Sequence, residues 1–351
     1  MTTISPILLF LCYLFSSLSV GFGVTNADSA VAKVLCDASP TCNSATPPST
    51  SSTTTISDKN DKKLNATRDK FNRDGYIVLK NYFRNNDDPT QEESLVPLLG
   101  DDWHDFSLKY WNRIFQVLHE KGHISEPHHV MNDEYNNGKL RHPGYKEIVH
   151  RYPGRYELSL NRISDHTKEE DSLLYHDMPL LQPIIDKLEH LILSILKQHP
   201  NYQELPDGTK YNLLHSMLIS APHSLIQKFH VDTKHTNEEE HWPAHIINVF
   251  IPLVNMTTRV LGPTEVVPRS HVQTRFMYSD NPQTRSQAKP LGSSTVTPLM
   301  NVGDVLMFDF RTLHRGLPNV SRNQNRPMLV LAFSIPSFHD KANWPGPSIF
   351  E

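Results

Sequence analysis

The chain has 351 residues, 38% of them hydrophobic and 21% charged, a balance ordinary for a soluble globular protein of one large or two small domains. Its formal net charge of -4 gives no electrostatic reason to expect nucleic acid as a partner. The three cysteines are Cys12, Cys36 and Cys42, so thiol nucleophiles and cysteine-based zinc sites are excluded from everything that follows them.

The N-terminus opens on "ISPILLFLCYLFSSLSV", an apolar run from Ile4 to Val20, followed by small residues at Gly21, Gly23 and Ala30 to Ala32. That is the layout of a secretory signal peptide, and a leader is expected over residues 1–32, although its first residues carry no Lys or Arg. Two alternatives stay open: an uncleaved membrane anchor, since the run is just long enough to span, and a bipartite plastid leader. On the first reading the protein enters the ER lumen or is secreted, with no stable membrane partner after cleavage. Cys36 and Cys42 can then pair in the oxidising compartment. Sequons at Asn65, Asn255 and Asn319 fit that route. Residues 33–63 contain "NSATPPSTSSTTTISDKND", too poor in apolar side chains to offset the entropy of ordering, and are read as a disordered linker. A single folded domain is expected over 64–351.

"DKFNRDGYIVLKNYF" reads as a short helix, a turn at Asp74-Gly75 and a strand through Ile77 and Leu79. A helical middle follows. Phe106, Leu108, Trp111, Phe115 and Leu118 recur at helical spacing, as do Ile184, Leu188, Leu191, Ile192 and Ile195 before Pro200, and both stripes are read as core-facing. After Tyr211 the texture changes to short runs rich in Val, Ile, Leu and Phe: "HIINVFIPLV", "TEVVPRSH", "TPLMNVGDVLMFDF" and "PMLVLAFSI". Many short strands broken by Gly, Pro and Asn predict a mainly β jelly roll with flanking helices rather than a βαβ sheet.

Among 20 histidines, the His-x-Asp of "QKFHVDTKH" carries little weight alone, because about two His-x-acid matches are expected by chance. Its context carries more. Residues two apart on a strand share a face, so His230 and Asp232 point the same way. "GDVLMFDFRTLHRGLPNVSRNQNRPMLVLAFS" delivers His314 near the end of one apolar run and Arg326 at the start of the next. In a jelly roll such distant strand ends lie side by side. Two histidines and one carboxylate on one face of a metal is the ligand set of non-haem Fe(II) oxygenases. A guanidinium such as Arg326 suits a bidentate grip on a carboxylate.

These segments, in order, resemble the phytanoyl-CoA dioxygenase family of Fe(II)- and 2-oxoglutarate-dependent oxygenases, over about Phe71 to Ile335. "FNRDGYIVLKNYF" resembles the family's opening helix–Gly–strand segment, "QKFHVD" its Q-x-x-H-x-D box, "LGPTEVVPRSH" its Gly-Pro to Ser-His strand, and "GDVLMFDFRTLHRGLPNVSRNQNRP" its distal box. The resemblance implies a double-stranded β-helix of the cupin-like kind. It implies His230, Asp232 and His314 as catalytic iron ligands, Arg326 on the distal carboxylate of 2-oxoglutarate, and Gln227 near the co-substrate, with O2 as second co-substrate. Arg269 stands where the family usually has Gly, and Asp232 keeps the carboxylate that halogenating relatives lack. His235 is the rival ligand to be weighed, and Asn319, beside the distal box, is expected to stay unglycosylated. The implied reaction is oxidation of an unactivated C–H bond with release of succinate and CO2; the family does not fix the substrate, and the leader favours a small specialised metabolite such as an amino-acid derivative. A protein or peptide hydroxylase of the secretory pathway and a non-catalytic jelly-roll binding protein are the alternatives.

Overall fold

The computed structural model describes residues 56–84, 94–122, 145–160, 178–289, 294–338 and 349. The leader, the three cysteines and most of the Ser/Thr/Pro tract lie outside them. Thr54–Glu351 forms one compact unit. Its first helix, α1 (Ile56–Asp74), begins inside the segment read as linker. From Ile56 to Asp74 the chain contains neither Gly nor Pro, and Phe71 is anchored in the core, so helix propagates back into a polar sequence.

Gly75 ends α1 at φ +76, its N–H bonded to the Phe71 carbonyl at 2.7 Å, and any Cβ there would collide with the imidazole of His271. Strand β1 (Tyr76–Leu79) follows as expected, and the two helical stripes fall on α2 (Trp103–Glu120) and α3 (Met178–Leu196). Of the stripe residues only Leu108 escapes full burial.

A hairpin absent from the sequence reading lies between these helices: β2 (Ile148–Tyr152) and β3 (Arg155–Ser159), joined by Pro153-Gly154. Its residues alternate charged and apolar side chains within a short span, a weaker signal than a continuous apolar run. Then come β4 (Asn212–Ser220), β5 (Ile246–Pro252), β6 (Thr264–Val266), helices α4 (Ser270–Met277) and α5 (Pro282–Arg285), and strands β7 (Val305–Asp309), β8 (His314–Gly316) and β9 (Arg326–Ser334). The run "TEVVPRSH" is thus only partly strand: Pro268 has no N–H to offer a ladder, and Ser270 opens a helix.

Seven strands form one antiparallel sheet in the order β1-β7-β5-β9-β4-β3-β2, and β6 pairs with β8 in a smaller second sheet. The large sheet divides its side chains by the period of two. Leu329, Leu331 and Phe333 of β9, with Val249 of β5 and Met217 of β4, join the helices in the main core. Met328 and Val330, with Phe250 and Phe308, face the other way. This is the mainly β, helix-flanked double-stranded β-helix that the sequence reading expected.

Arg269, the departure from the family's Gly, sits at φ +63, where an L side chain crowds its own backbone, and it lies 3.6 Å from Asp74. Its side chain is 70% exposed, so that ion pair is screened and weak. Arg269→Gly is therefore expected to raise stability by about 1 kcal/mol, read as a higher melting temperature. A lower one would show the pair to outweigh the strain.

Candidate metal centre and co-substrate pocket

His230 precedes no regular strand, yet its backbone is locked to β8. The N–H of His230 donates to the His314 carbonyl and the N–H of His314 to the His230 carbonyl, each at 3.0 Å. Two apolar-flanked segments 84 positions apart in sequence thereby place their imidazoles with centroids 4.4 Å apart. Asp232, two residues on, donates its N–H to the Phe310 carbonyl at 2.9 Å and turns its carboxylate to the same side.

The ring nitrogens are sorted by their partners. His230 Nδ1 lies 2.9 Å from the Lys228 carbonyl and His314 Nδ1 2.9 Å from the Thr312 carbonyl. A carbonyl only accepts, so each Nδ1 carries a proton, which leaves Nε2 as the nitrogen able to ligate. His230 Nε2 is 3.8 Å from Asp232 Oδ1, and His314 Nε2 is 3.7 Å from Asp232 Oδ2. One donor atom from each residue lies within 4.8 Å of the others, and among the described residues no other His, Cys, Asp or Glu trio does so. Two imidazoles held through Nδ1, each turning Nε2 toward one carboxylate, fit a divalent first-row metal with open positions. Burial pushes the His314 pKa down, which keeps that ring in the ligating form.

Asn248 of β5 was not singled out from the sequence. Its Nδ2 donates to Asp232 Oδ2 at 2.7 Å, which fixes the carboxylate and leaves Oδ1 to face His230. The signal was present as one amide inside the apolar run "HIINVFIP". Also unread was "DFR", the turn into β8. The Asp309 carboxylate grips Arg311 at 2.5 and 2.8 Å, both side chains buried. Burial alone would push the Asp309 carboxyl up, but the Arg311 guanidinium outweighs it and holds the carboxyl well below the usual range.

Around this pair stand His199, His235, His241, His245 and His271, which is where the rival ligand is found. His235 bonds Thr274 Oγ1 at 3.2 Å and approaches Arg311 at 3.4 Å, away from the His230–Asp232–His314 trio. Asn319 is fully buried, its Nδ2 donating to the Ser220 and Gln324 carbonyls at 2.9 Å each, so in this fold the amide is closed to a glycan.

All five residues singled out for the site line one cavity of about 460 Å³, with Asn248 beside them and Phe250 and Val330 among its apolar walls. Gln227 accepts from the Gly316 N–H at 2.8 Å. Arg326, first residue of β9, is 1% exposed, and neither its Nε nor its Nη1 has a protein partner. Burial pushes its pKa down to about 10, so it remains a cation at neutral pH, poised for an anion.

A helix-flanked, mainly antiparallel β fold closing on two histidines, a carboxylate and a buried arginine defines a non-haem iron, 2-oxoglutarate-dependent oxygenase. The chain belongs to the phytanoyl-CoA dioxygenase (PhyH) family, whose sequence pattern matches residues 119–328, more than half of its length. Solved structures resemble it at a distance. AviO1 from Streptomyces viridochromogenes Tue57 is 15% identical with a TM-score of 0.41, covering 81% of this chain and 98% of its own. The alpha ketoglutarate dependent epimerase SnoN from nogalamycin biosynthesis is 12% identical, TM-score 0.45, covering 82% and 93%. HygX from Streptomyces hygroscopicus, with nickel and 2-oxoglutarate bound, is 10% identical, TM-score 0.42, covering 81% and 94%. The family assignment rests on the sequence pattern, not on these likenesses.

Two outcomes follow from this geometry. Asn248→Leu frees the Asp232 carboxylate and is expected to weaken metal binding by about 10- to 100-fold in equilibrium dialysis, with the fold retained. The second concerns acid. Burial, reinforced by Arg311, holds His235 and His245 at about 3 and His199 and His241 at about 4, below the unfolded value. As pH falls from about 6.5 to about 3, the unfolded chain takes up protons that the folded one refuses. Stability is full above that window and lost through it, so urea midpoints should fall steeply there. A flat profile would count against the neutral histidine cluster.

Proposed function

We propose that this protein oxidises an unactivated C–H bond of a small specialised metabolite, with an amino-acid derivative as one candidate, by hydroxylation, desaturation or oxidative ring closure. The observation that carries the reading is the pair of Nε2 atoms on His230 and His314, facing Asp232 at the wall of the cavity. His230, Asp232 and His314 would hold iron, Arg326 the distal carboxylate of 2-oxoglutarate, and Gln227 the rim beside it. Bound there, iron with 2-oxoglutarate and O2 supplies the oxidising chemistry, in which the 2-oxo acid leaves as succinate and CO2.

The chain's own groups do the rest. The carbonyls of Lys228 and Thr312 keep both imidazoles in the tautomer that presents Nε2. Asn248 keeps Asp232 from rotating. Phe250 and Val330 supply apolar wall and help exclude water. A cavity of about 460 Å³ suits a small molecule with its co-substrate better than a folded protein surface, which favours a metabolite over the protein or peptide hydroxylase reading. The ligand set and the unpartnered Arg326 weigh against a binding module without turnover. We place the protein in the ER lumen or outside the cell, on the strength of the apolar leader, with a plastid or an uncleaved anchor as the alternatives.

Aerobic turnover of 2-oxoglutarate with Fe(II), followed as succinate release, tests the reading. Wild type should turn over, and Asp232→Ala and His314→Ala should each lose at least about 100-fold in rate. Equal turnover in all three would sink it.

A further inference from the structure

The cavity wall conceals a second buried cation that the site as described does not use. Arg155 of β3 is 1% exposed. Its Nε donates to the Leu225 carbonyl at 3.3 Å and its Nη2 to the Leu317 carbonyl, while Nη1 has no partner. Among the described residues, neither Arg155 nor Arg326 makes an ion pair. The strand register aligns them: Arg155 pairs with Ser220, and Ser220 with Arg326, so both belong to one row across β3, β4 and β9. They repel each other enough that Arg326 adds to the burial that lowers the Arg155 pKa.

Gly316 and Gln227, both in the cavity wall, lie close to the free nitrogen. A Cβ on Gly316 would lie 2.6 Å from Arg155 Nη1 and 2.7 Å from Gln227 Oε1. Glycine at 316 is thus what lets the guanidinium come up behind the wall. Two neighbouring buried cations with three unpartnered nitrogens between them are costly unless an anion enters.

We propose that Arg155 is a second cationic residue for the co-substrate, acting with Arg326 on the distal carboxylate of a 2-oxo dicarboxylic acid through the Gly316–Gln227 wall. The inference rests on the reading that the cavity takes 2-oxoglutarate. The rival account is that Arg155 only clamps the Leu225 and Leu317 loops.

The test compares 2-oxoglutarate with 2-oxobutanoate, which lacks the distal carboxylate, binding to the Mn(II)-loaded full chain without oxygen. In Arg155→Met, 2-oxoglutarate affinity should fall about 10- to 100-fold. Affinity for 2-oxobutanoate, Mn(II) affinity and melting temperature should hold within about twofold or a few degrees. Arg155→Lys should restore most of the preference, because it keeps the charge but not the two-carbonyl clamp. Gly316→Ala should weaken 2-oxoglutarate selectively by pushing the guanidinium back. Unchanged preference in Arg155→Met, or equal losses for both oxo acids in Lys and Met variants, would overturn the proposal. A Met variant that fails to fold leaves Lys and Ala to decide by the same criterion. Failure of the wild type to bind 2-oxoglutarate at all would instead overturn the functional reading, and this one with it.

Discussion

The site depends on one pair of backbone hydrogen bonds, exchanged between His230 and His314. Neither residue needs a long strand to hold it: β8 has three residues, and His230 forms an isolated bridge. A closely spaced antiparallel pair fixes both Cα positions and points both side chains the same way. Once that pair forms, imidazole separation follows from covalent geometry. The large sheet and its helices can then be seen as a frame that brings residue 230 against residue 314. Burial of the apolar face of β9 against α2 and α3 supplies the driving force, and none of that face touches the cavity.

The ligands are also set by what surrounds them. Lys228 and Thr312 contribute only carbonyl oxygens, so their side chains are immaterial to the tautomer they enforce. That separates two kinds of constraint. At His230, Asp232, His314 and Asn248 the side-chain chemistry is what the site uses, whereas Lys228, Phe310 and Thr312 serve the ligands through their backbone carbonyls alone. Charge is distributed just as unevenly. The cavity is lined by the two imidazoles and the Asp232 carboxylate and also by the buried Arg326 guanidinium, a polarity that would orient an elongated anion before any specific contact forms.

Much of this was legible in the sequence because the relevant signals are local. His-x-Asp on an apolar stretch, and a histidine and an arginine bracketing a polar loop, are short-range patterns, and the helical stripes of α2 and α3 are strongly periodic. The β2–β3 hairpin was not legible, since its alternation is short and carries charge, and with it Arg155 was lost. Asn248 and Asp309 escaped for another reason. Each looks like an ordinary polar interruption of a strand until the folded chain shows Asp232 and Arg311 as their partners. The helix α4 was hidden by β-branched residues in a run that Pro268 cuts short.

The turn from Asp309 to Thr312 joins these threads. Its Phe310 carbonyl receives the Asp232 N–H and its Thr312 carbonyl the ring of His314, while Arg311 reaches back to Asp309. A single inserted residue between Asp309 and His314 would turn the histidine to the opposite face of β8 and release the aspartate in the same stroke. Length in these few positions is therefore as unforgiving as ligand identity. The chain's room to acquire a new substrate lies in segments that do not touch this turn.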